Sequence, residues 1–273
     1  MTLFKETITK GKSSFGTVHR RSLICILLAI SCLVLDHLLP GSFWEKYYYQ
    51  GLFLWIRQAY DFTLGWLPVP MIYMLFIIVL IRTYSWFRNR KKGPGWMLMR
   101  ALGGISFLVF LFYVLWAFNY HQVGLAKRLG FNYDEVTALD ITAEFERASA
   151  VLQFAAMNLP EEMQTDDFIK SHRVTDHVLR PDVEAALQEL GLPNKGRVRV
   201  RQLWPKGFLL RWSTAGIYIP QAFEGHVDKG LLSVQKSFTM AHEMAHGYGV
   251  TDEGTCNFIA WLACEQSKDP WEK

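Results

Sequence analysis

The residues with the clearest potential for chemistry are His242, Glu243 and His246, in the pentapeptide His-Glu-Met-Ala-His. On an α-helix, residues four apart lie on one face, with Cβ atoms about 5–6 Å apart. Two imidazoles at that spacing can both reach one tetrahedral zinc ion. Glu243 follows the first histidine, where its carboxylate can take a proton from a water molecule held at the metal. The spacing therefore predicts two zinc ligands and a general base.

The residues around the pentapeptide favour a buried helix. Between Phe238 and Gly249 there is no Asp, Glu, Lys, Arg or Pro other than Glu243. Gly247 and Gly249 predict the end of the helix, because glycine readily adopts the left-handed conformation of a helix C-terminus. A surface helix with an accidental His-Glu-His set is the alternative, and it suits this context poorly.

A third zinc ligand has to come from outside the pentapeptide, because catalytic zinc sites usually have three protein ligands and one open position. Glu253 is the favoured candidate, and Asn257, four residues later, would lie on the same helix face and orient a ligand. Asp252 is the alternative, since H-E-x-x-H-x-x-G-x-x-D resembles the metzincin pattern, but Asp is also a favoured helix N-cap. His226 and Glu224 are weaker candidates upstream.

The composition indicates membrane segments. The chain is 51% hydrophobic and 15% aromatic, values that are high for one soluble domain. Three apolar stretches, 22–39, 64–81 and 101–118, each approach the ~20 residues that cross a bilayer. No small-x-small cleavage site follows the first stretch, which favours an uncleaved anchor. The formal net charge of +4 is too small to indicate nucleic-acid binding, and the four cysteines suit neither a disulfide framework nor a cysteine zinc site.

The distribution of basic residues predicts the orientation of the spans. Lysines and arginines are concentrated in residues 1–21 and 82–100, whereas the loop before the second stretch has few. Under the positive-inside rule, the two basic segments stay in the cytoplasm. Three spans with an inside N-terminus then place residues 120–273 outside.

Residues 120–273 have the composition of a soluble domain with helices and strands. Residues 217–219, in the second strand of a hairpin, are expected to offer an edge to an extended peptide. The segment 47–60 is either an interfacial helix on the outer face or a half-buried loop packed on the soluble domain. The remaining predicted elements are a helix over 141–159, a helix over 182–190, a strand over 197–203 and a first hairpin strand over 208–212.

The predicted fold class is a mainly α membrane protein, in which three transmembrane helices precede an α+β zincin-like extracytoplasmic domain. A basic cytoplasmic segment, 1–21, comes first. The three-span region occupies 22–119, and the metallopeptidase domain occupies 120–273.

Four motifs carry a resemblance to a known family. They are Trp116–Tyr120 (WAFNY), Gly216–Pro220 (GIYIP), Ala241–His246 (AHEMAH) and Asn257–Cys264 (NFIAWLAC). Together they resemble the bacterial DUF3810 family of multi-pass membrane proteins with a gluzincin-like zinc motif. The resemblance implies a place in the bacterial cytoplasmic membrane.

The chain departs from the family pattern after the pentapeptide. The family typically reads close to E-D-E-A-N-F where this chain has Glu253-Gly-Thr255-Cys-Asn-Phe. Glu253 keeps the first acidic position, and Thr255 stands at the second. Members of the family also usually continue beyond the position of Lys273.

The functional hypothesis is a membrane-anchored zinc metallopeptidase that hydrolyses peptide bonds at the outer face of the cytoplasmic membrane. Its partners would be Zn²⁺, the lipid bilayer and a peptide or protein substrate. The alternative is a catalytically inactive zinc-binding sensor or assembly module, in which the metal serves stability. Intramembrane proteolysis is disfavoured, because Lys236, Asp252 and Glu253 flank the pentapeptide and no apolar run of spanning length contains it.

Overall fold

The computed structural model describes residues 2–132, 135–158, 161 and 174–269. This part of the chain is mainly helical, with a small mixed sheet. It divides into two compact units. The first unit consists of Met1–Ile56, Leu67–Tyr120 and Pro220–Ala222, and the second of Arg57–Trp66, His121–Ile219 and Phe223–Lys273.

Long apolar helices make up most of the first unit: α1 (Thr2–Leu38), α3 (Met71–Arg88) and α4 (Pro94–Leu115). Within the described residues, three segments are long and apolar enough to cross a membrane: His19–Leu38, Met71–Arg88 and Pro94–Leu115.

Prolines set where two of these helices begin, and both starting residues differ from the predicted ones. The second apolar helix begins at Met71 rather than at residue 64, because Pro68 and Pro70 precede it and the residue before a proline disfavours the helical conformation. The third begins at Pro94 rather than at residue 101. Proline suits the first position of a helix, since its missing N–H would have no intrahelical partner there.

The segment between α1 and α3 is helical rather than a loop. A π-helix, Trp44–Leu52, leads directly into α2 (Phe53–Thr63). Of the two conformations predicted for residues 47–60, the backbone is therefore helical and not a loop. In the first unit, the Trp44 ring stacks on Phe118 with centroids 3.8 Å apart.

The sheet of the second unit contains β1 (Arg199–Leu203), β2 (Gly216–Ile219) and β3 (Glu224–Asp228), in the order β1-β3-β2 within the described residues. β1 runs parallel to β3, and β2 runs antiparallel to it. β1 agrees with the strand predicted over 197–203.

The predicted hairpin partner over 208–212 is wrong, since β2 pairs forward with β3. Residues Leu210–Trp212 form a short 3₁₀ turn instead. The Asp228 carboxylate accepts hydrogen bonds from the backbone N–H groups of Gly207, Leu209 and Leu210. These backbone donors therefore have partners without a strand ladder.

The helices of the second unit are α5 (Leu125–Arg128), α6 (Ala138–Met157), α7 (Asp176–Glu189), α8 (Ser233–Gly247) and α9 (Glu253–Gln266). α6 covers most of the helix predicted over 141–159, although Leu159 lies outside the described residues. α7 begins earlier than the helix predicted over 182–190, and its Asp176 pairs with both Arg180 and Arg199 at 2.9 Å.

The core of the second unit lies between the sheet and helices α7, α8 and α9. Val198, Val200 and Val227 contribute from the sheet region, and Met244 and Ile259 contribute from the helices. Glycine allows α8 to approach the sheet closely: a Cβ at Gly247 would collide with Val198, and a Cβ at Gly225 would lie 2.7 Å from Glu243 Cβ. The helix that carries the pentapeptide is thus fixed by packing on a rigid support.

The second unit includes Arg57–Trp66, a segment that comes well before residue 120 in the chain. Arg57 is fully buried, pairs with Asp61 at 2.8 Å and donates to the Phe223 carbonyl at 2.7 Å. Asp61 accepts the Arg197 backbone N–H at 2.5 Å, and Arg199 donates to the Gly65 carbonyl. A segment between the first two apolar helices is therefore part of the fold that carries the pentapeptide.

Candidate metal centre

Helix α8 presents His242 and His246 on one face, as their spacing predicts. The helix ends in a Schellman turn: Gly249 has φ +95° and donates to the His246 carbonyl, and Val250 donates to the Ala245 carbonyl. Gly249 thus serves as the terminator that the sequence predicts, whereas Gly247 is still helical. The turn also aims the Val250 carbonyl back at the end of α8.

Each histidine is held through its Nδ1 atom. His246 Nδ1 lies 2.8 Å from the Val250 carbonyl, which can only accept, so this nitrogen carries the proton. His242 Nδ1 lies 2.8 Å from Asn257 Oδ1. Both contacts leave Nε2 as the electron-pair donor, which is the arrangement that orients metal-binding histidines. Burial lowers the pKa of His246, which favours the neutral ring that binds metals.

Glu253, in the first turn of α9, brings its carboxylate to both imidazoles. Its oxygens lie 3.1 Å from His242 Nε2 and 3.4 Å from His246 Nε2. The three ligand atoms lie within 4.8 Å of one another. Two ligand atoms about 2.1 Å from a tetrahedral ion would be roughly 3.4 Å apart, a separation that the two carboxylate–imidazole distances approach. The Glu253 side chain is 75% exposed, which leaves the site open to solvent.

Asp252 has a different role from its neighbour. It is the N-cap of α9, and its carboxylate accepts hydrogen bonds from the Thr255 N–H at 2.7 Å and the Thr255 hydroxyl at 2.6 Å. Thr255 thus completes the cap. The cap fixes the first turn of α9, which contains Glu253.

The two upstream candidates for a third ligand lie elsewhere. Glu224 is fully buried and pairs with Arg201 at 2.9 Å. His226 is also fully buried in β3. Since Gly225 faces Glu243 and side chains alternate along a strand, Glu224 and His226 point to the opposite face of the sheet.

Glu243 lies beneath the sheet, in space that two glycines leave open. It is only 4% exposed, and a Cβ at Gly216 would lie 2.5 Å from its Oε1. Its Oε2 has no hydrogen-bond partner among the described residues. Burial and the nearby Glu253 charge raise the pKa of Glu243 to about 8. Without a cation at the site, this carboxyl group therefore holds its proton more tightly than an ordinary glutamic acid.

Other residues near the site could not be identified from the pentapeptide. Gly216 belongs to the GIYIP motif, but nothing in that motif indicates that Glu243 lies against it. Tyr218, two residues on, has its ring centroid 6.4 Å from that of His246. Burial raises the pKa of the Tyr218 hydroxyl, and the positive charge of Arg57 opposes the rise. The buried Cys256 thiol lies 3.4 Å from His246 Nδ1.

The fold and the site define a mainly helical protein with three apolar helices of spanning length in the described residues and a two-histidine, one-carboxylate cluster. The chain belongs to the DUF3810 family, described as a protein of unknown function, which matches residues 48–272. The resemblance seen in the four sequence motifs is thus confirmed. No curated protein and no solved structure matches the chain.

Proposed function

We propose that this protein is a membrane-anchored, zinc-dependent metallopeptidase with a zincin-like catalytic domain. The observation that carries the proposal is the convergence of His242 Nε2, His246 Nε2 and the Glu253 carboxylate, with both imidazoles fixed through Nδ1. Two imidazole nitrogens and one carboxylate oxygen are a donor set that zinc accepts, whereas magnesium and calcium prefer oxygen ligands alone.

The residues of the chain divide the chemistry among them. His242, His246 and Glu253 would hold the ion, and zinc, when bound, supplies a Lewis acid that lowers the pKa of water. Glu243, on the same helix turn, takes a proton from the attacking water and returns it to the leaving amine. Asn257 and the Val250 carbonyl keep the histidine rings in place.

An extended peptide is the substrate class that the surroundings favour. Within the described sheet, β2 pairs with β3 on one side only, so its other edge has backbone groups available to a peptide strand. Gly216 in this strand adjoins the Glu243 carboxylate. A peptide paired with β2 would therefore bring its backbone close to the general base.

We further propose that the N-terminus lies on the cytoplasmic side of the cytoplasmic membrane and that the second unit lies on the outer side. Arg57–Trp66 follows the first apolar helix, and His121 follows the third, yet both segments belong to the same compact unit. If the two apolar helices between these segments span the membrane, they return the chain to the side on which Arg57–Trp66 lies. The basic segments 1–21 and 82–100 would lie on the opposite side of the membrane, and their positive charge favours the cytoplasm for that side.

The test is the zinc content of the purified full-length chain in detergent, with three variants. Glu253→Ala should lose zinc, whereas Asp252→Ala should keep it, because Asp252 caps α9 and contacts neither imidazole. Glu243→Gln should keep zinc and lose cleavage of a model peptide library. Equal zinc content in Glu253→Ala and the wild-type chain would contradict the proposed ligand set.

The second candidate, an inactive zinc-binding sensor or assembly module, is favoured by the covered position of Glu243. Its carboxylate is almost fully buried against Gly216, where a water molecule has little room. In that case wild type and Glu243→Gln would bind zinc equally and neither would cleave a peptide. The same pair of measurements therefore separates the two functions.

A further inference from the structure

Asp228 ties together two segments at one end of the sheet, a loop after β1 and the turn that leads into α8. Its carboxylate accepts the N–H groups of Gly207 and Leu209 at 2.7 Å in the first loop and of Gly230 at 2.6 Å in the second. We call the segments 204–212 and 229–238 together the aromatic-basic surface. Because one buried carboxylate ties both loops, the surface is built into the fold.

Large apolar side chains on this surface point into solvent. Trp212 is 76% exposed and Trp204 69% exposed, although both are large side chains that are usually well covered. The other exposed apolar residues of the surface are Phe208, Leu210, Leu232, Val234 and Phe238. An exposed patch of this kind marks a site of interaction with a protein or a membrane.

The charged side chains of the aromatic-basic surface are all basic. Residues 204–219 and 229–242 contain Lys206, Arg211, Lys229 and Lys236 and no Asp or Glu. Partial burial lowers the pKa of Lys236, the nearby charges of Lys206 and Lys229 lower it further, and Asp228 opposes them. The surface thus combines exposed tryptophans with four basic side chains, while the neighbouring carboxylate of Asp228 is buried beneath.

We propose that the aromatic-basic surface docks on the anionic phospholipid headgroups of the membrane in which the chain is anchored. Tryptophan favours the boundary between headgroups and hydrocarbon, because its ring is apolar and its N–H is polar. Lysine and arginine beside it are attracted by the negative surface potential of anionic lipids. A second copy of this surface is a poor partner, since a symmetric contact would set four cations against four. The inference does not depend on zinc binding or on catalysis.

The experiment uses the full-length chain in nanodiscs, with an environment-sensitive nitrobenzoxadiazole label on Trp212→Cys. A label on Trp261→Cys in α9 is the matched control, since Trp261 is also an exposed aromatic residue of the second unit. Signal from the chain without an introduced cysteine is subtracted. With anionic phosphatidylglycerol present, the label at 212 should shift to the blue and be quenched by spin-labelled lipid. The label at 261 should do neither.

Charge reversal tests the electrostatic part. Lys206→Glu with Lys229→Glu should lower the docked-to-free ratio by at least fivefold for each lysine removed. The control with the same change in net charge is Lys195→Glu with Lys268→Glu. Both residues are exposed, and Lys195 precedes β1, whereas Lys206 follows it. The control pair should leave the ratio unchanged.

Salt gives a test that does not depend on the folding of a charge-reversed variant. Raising the ionic strength should release the label at 212 from anionic nanodiscs, because salt screens exposed charges. A label at 212 that stays fully accessible to aqueous iodide in anionic nanodiscs would overturn the proposal. So would a blue shift of equal size in neutral lipid, or one that appears in detergent and grows with protein concentration.

Discussion

Replacing Asn257 should weaken zinc binding without removing a ligand. The Asn257 side chain holds His242 through one hydrogen bond of 2.8 Å to Nδ1, so Asn257→Ala frees the ring to turn away from Glu253. Loss of such an outer partner typically costs 10- to 100-fold in metal affinity. The His242 side chain is partly exposed, so water can replace the lost acceptor. We therefore expect a loss near the lower end, about tenfold or roughly 1.4 kcal/mol.

The assay is competition for zinc between the full-length chain in detergent and a chromophoric chelator. Asn257→Asp should bind zinc at least as tightly as wild type, because a carboxylate accepts the same hydrogen bond more strongly. Asp252→Ala is the control for damage to α9: it removes the N-cap, at a cost of about 1 kcal/mol of stability, but leaves all three ligands in place. The reasoning would be refuted if Asn257→Ala bound zinc as tightly as wild type, or if Asp252→Ala lost as much affinity.

Three further predictions concern buried positions in the second unit. Gly216→Ala should keep zinc but reduce peptide cleavage about 100-fold, since its Cβ would lie 2.5 Å from Glu243 Oε1 and displace the carboxylate by about 1 Å. Gly247→Ala should destabilise the second unit by about 1–3 kcal/mol, measured as a lower thermal unfolding midpoint, because its Cβ would collide with Val198. Stability should also fall between about pH 6.5 and 4: burial and Arg201 lower the pKa of His226 to about 4, so the unfolded chain binds a proton that the folded chain excludes. The loss should reach about 3 kcal/mol, and His226→Leu should remove it.

Each of these three predictions has an opposing outcome. Unchanged cleavage in Gly216→Ala would mean that the placement of Glu243 does not matter. An unchanged unfolding midpoint in Gly247→Ala would show that α8 can move away from Val198 without cost. For His226, the decisive quantity is the difference between wild type and His226→Leu at pH 7 and near pH 4, because shared titrations cancel in it. A constant difference would contradict the lowered pKa.

Local spacing was enough to predict the parts of the molecule that depend on neighbours in the chain. The four-residue interval between His242 and His246 places both rings on one helix face whatever surrounds the helix. The end of that helix at Gly249 and the strand β1 were predicted for the same reason. The three apolar segments were predicted from composition. The predicted starts of the second and third helices were wrong, because prolines at 68, 70 and 94 set where these helices begin.

Two questions about the site needed the tertiary structure. Asp252 and Glu253 are adjacent carboxylates, and the sequence offers both as ligands. The entry angle of α9 places them differently, because it turns Asp252 onto its own helix and Glu253 toward both histidines. The strand that pairs with β2 could not be predicted from the local pattern either. The Asp228 carboxylate accepts hydrogen bonds from the backbone N–H groups around residues 207–210, and β2 pairs with β3 rather than with that segment.

The sequence by itself therefore determined the placement of the His-Glu-Met-Ala-His histidines on one helix face and the apolar segments, since both depend on the helical repeat and on runs of residue type. Only the tertiary structure brought together what lies far apart in the chain. It placed Gly216 against Glu243, Asn257 against His242, and Arg57, from between the first two apolar helices, in the same compact unit as the site. These contacts arise from packing and from the need of buried polar groups for partners, which no local pattern of residues encodes.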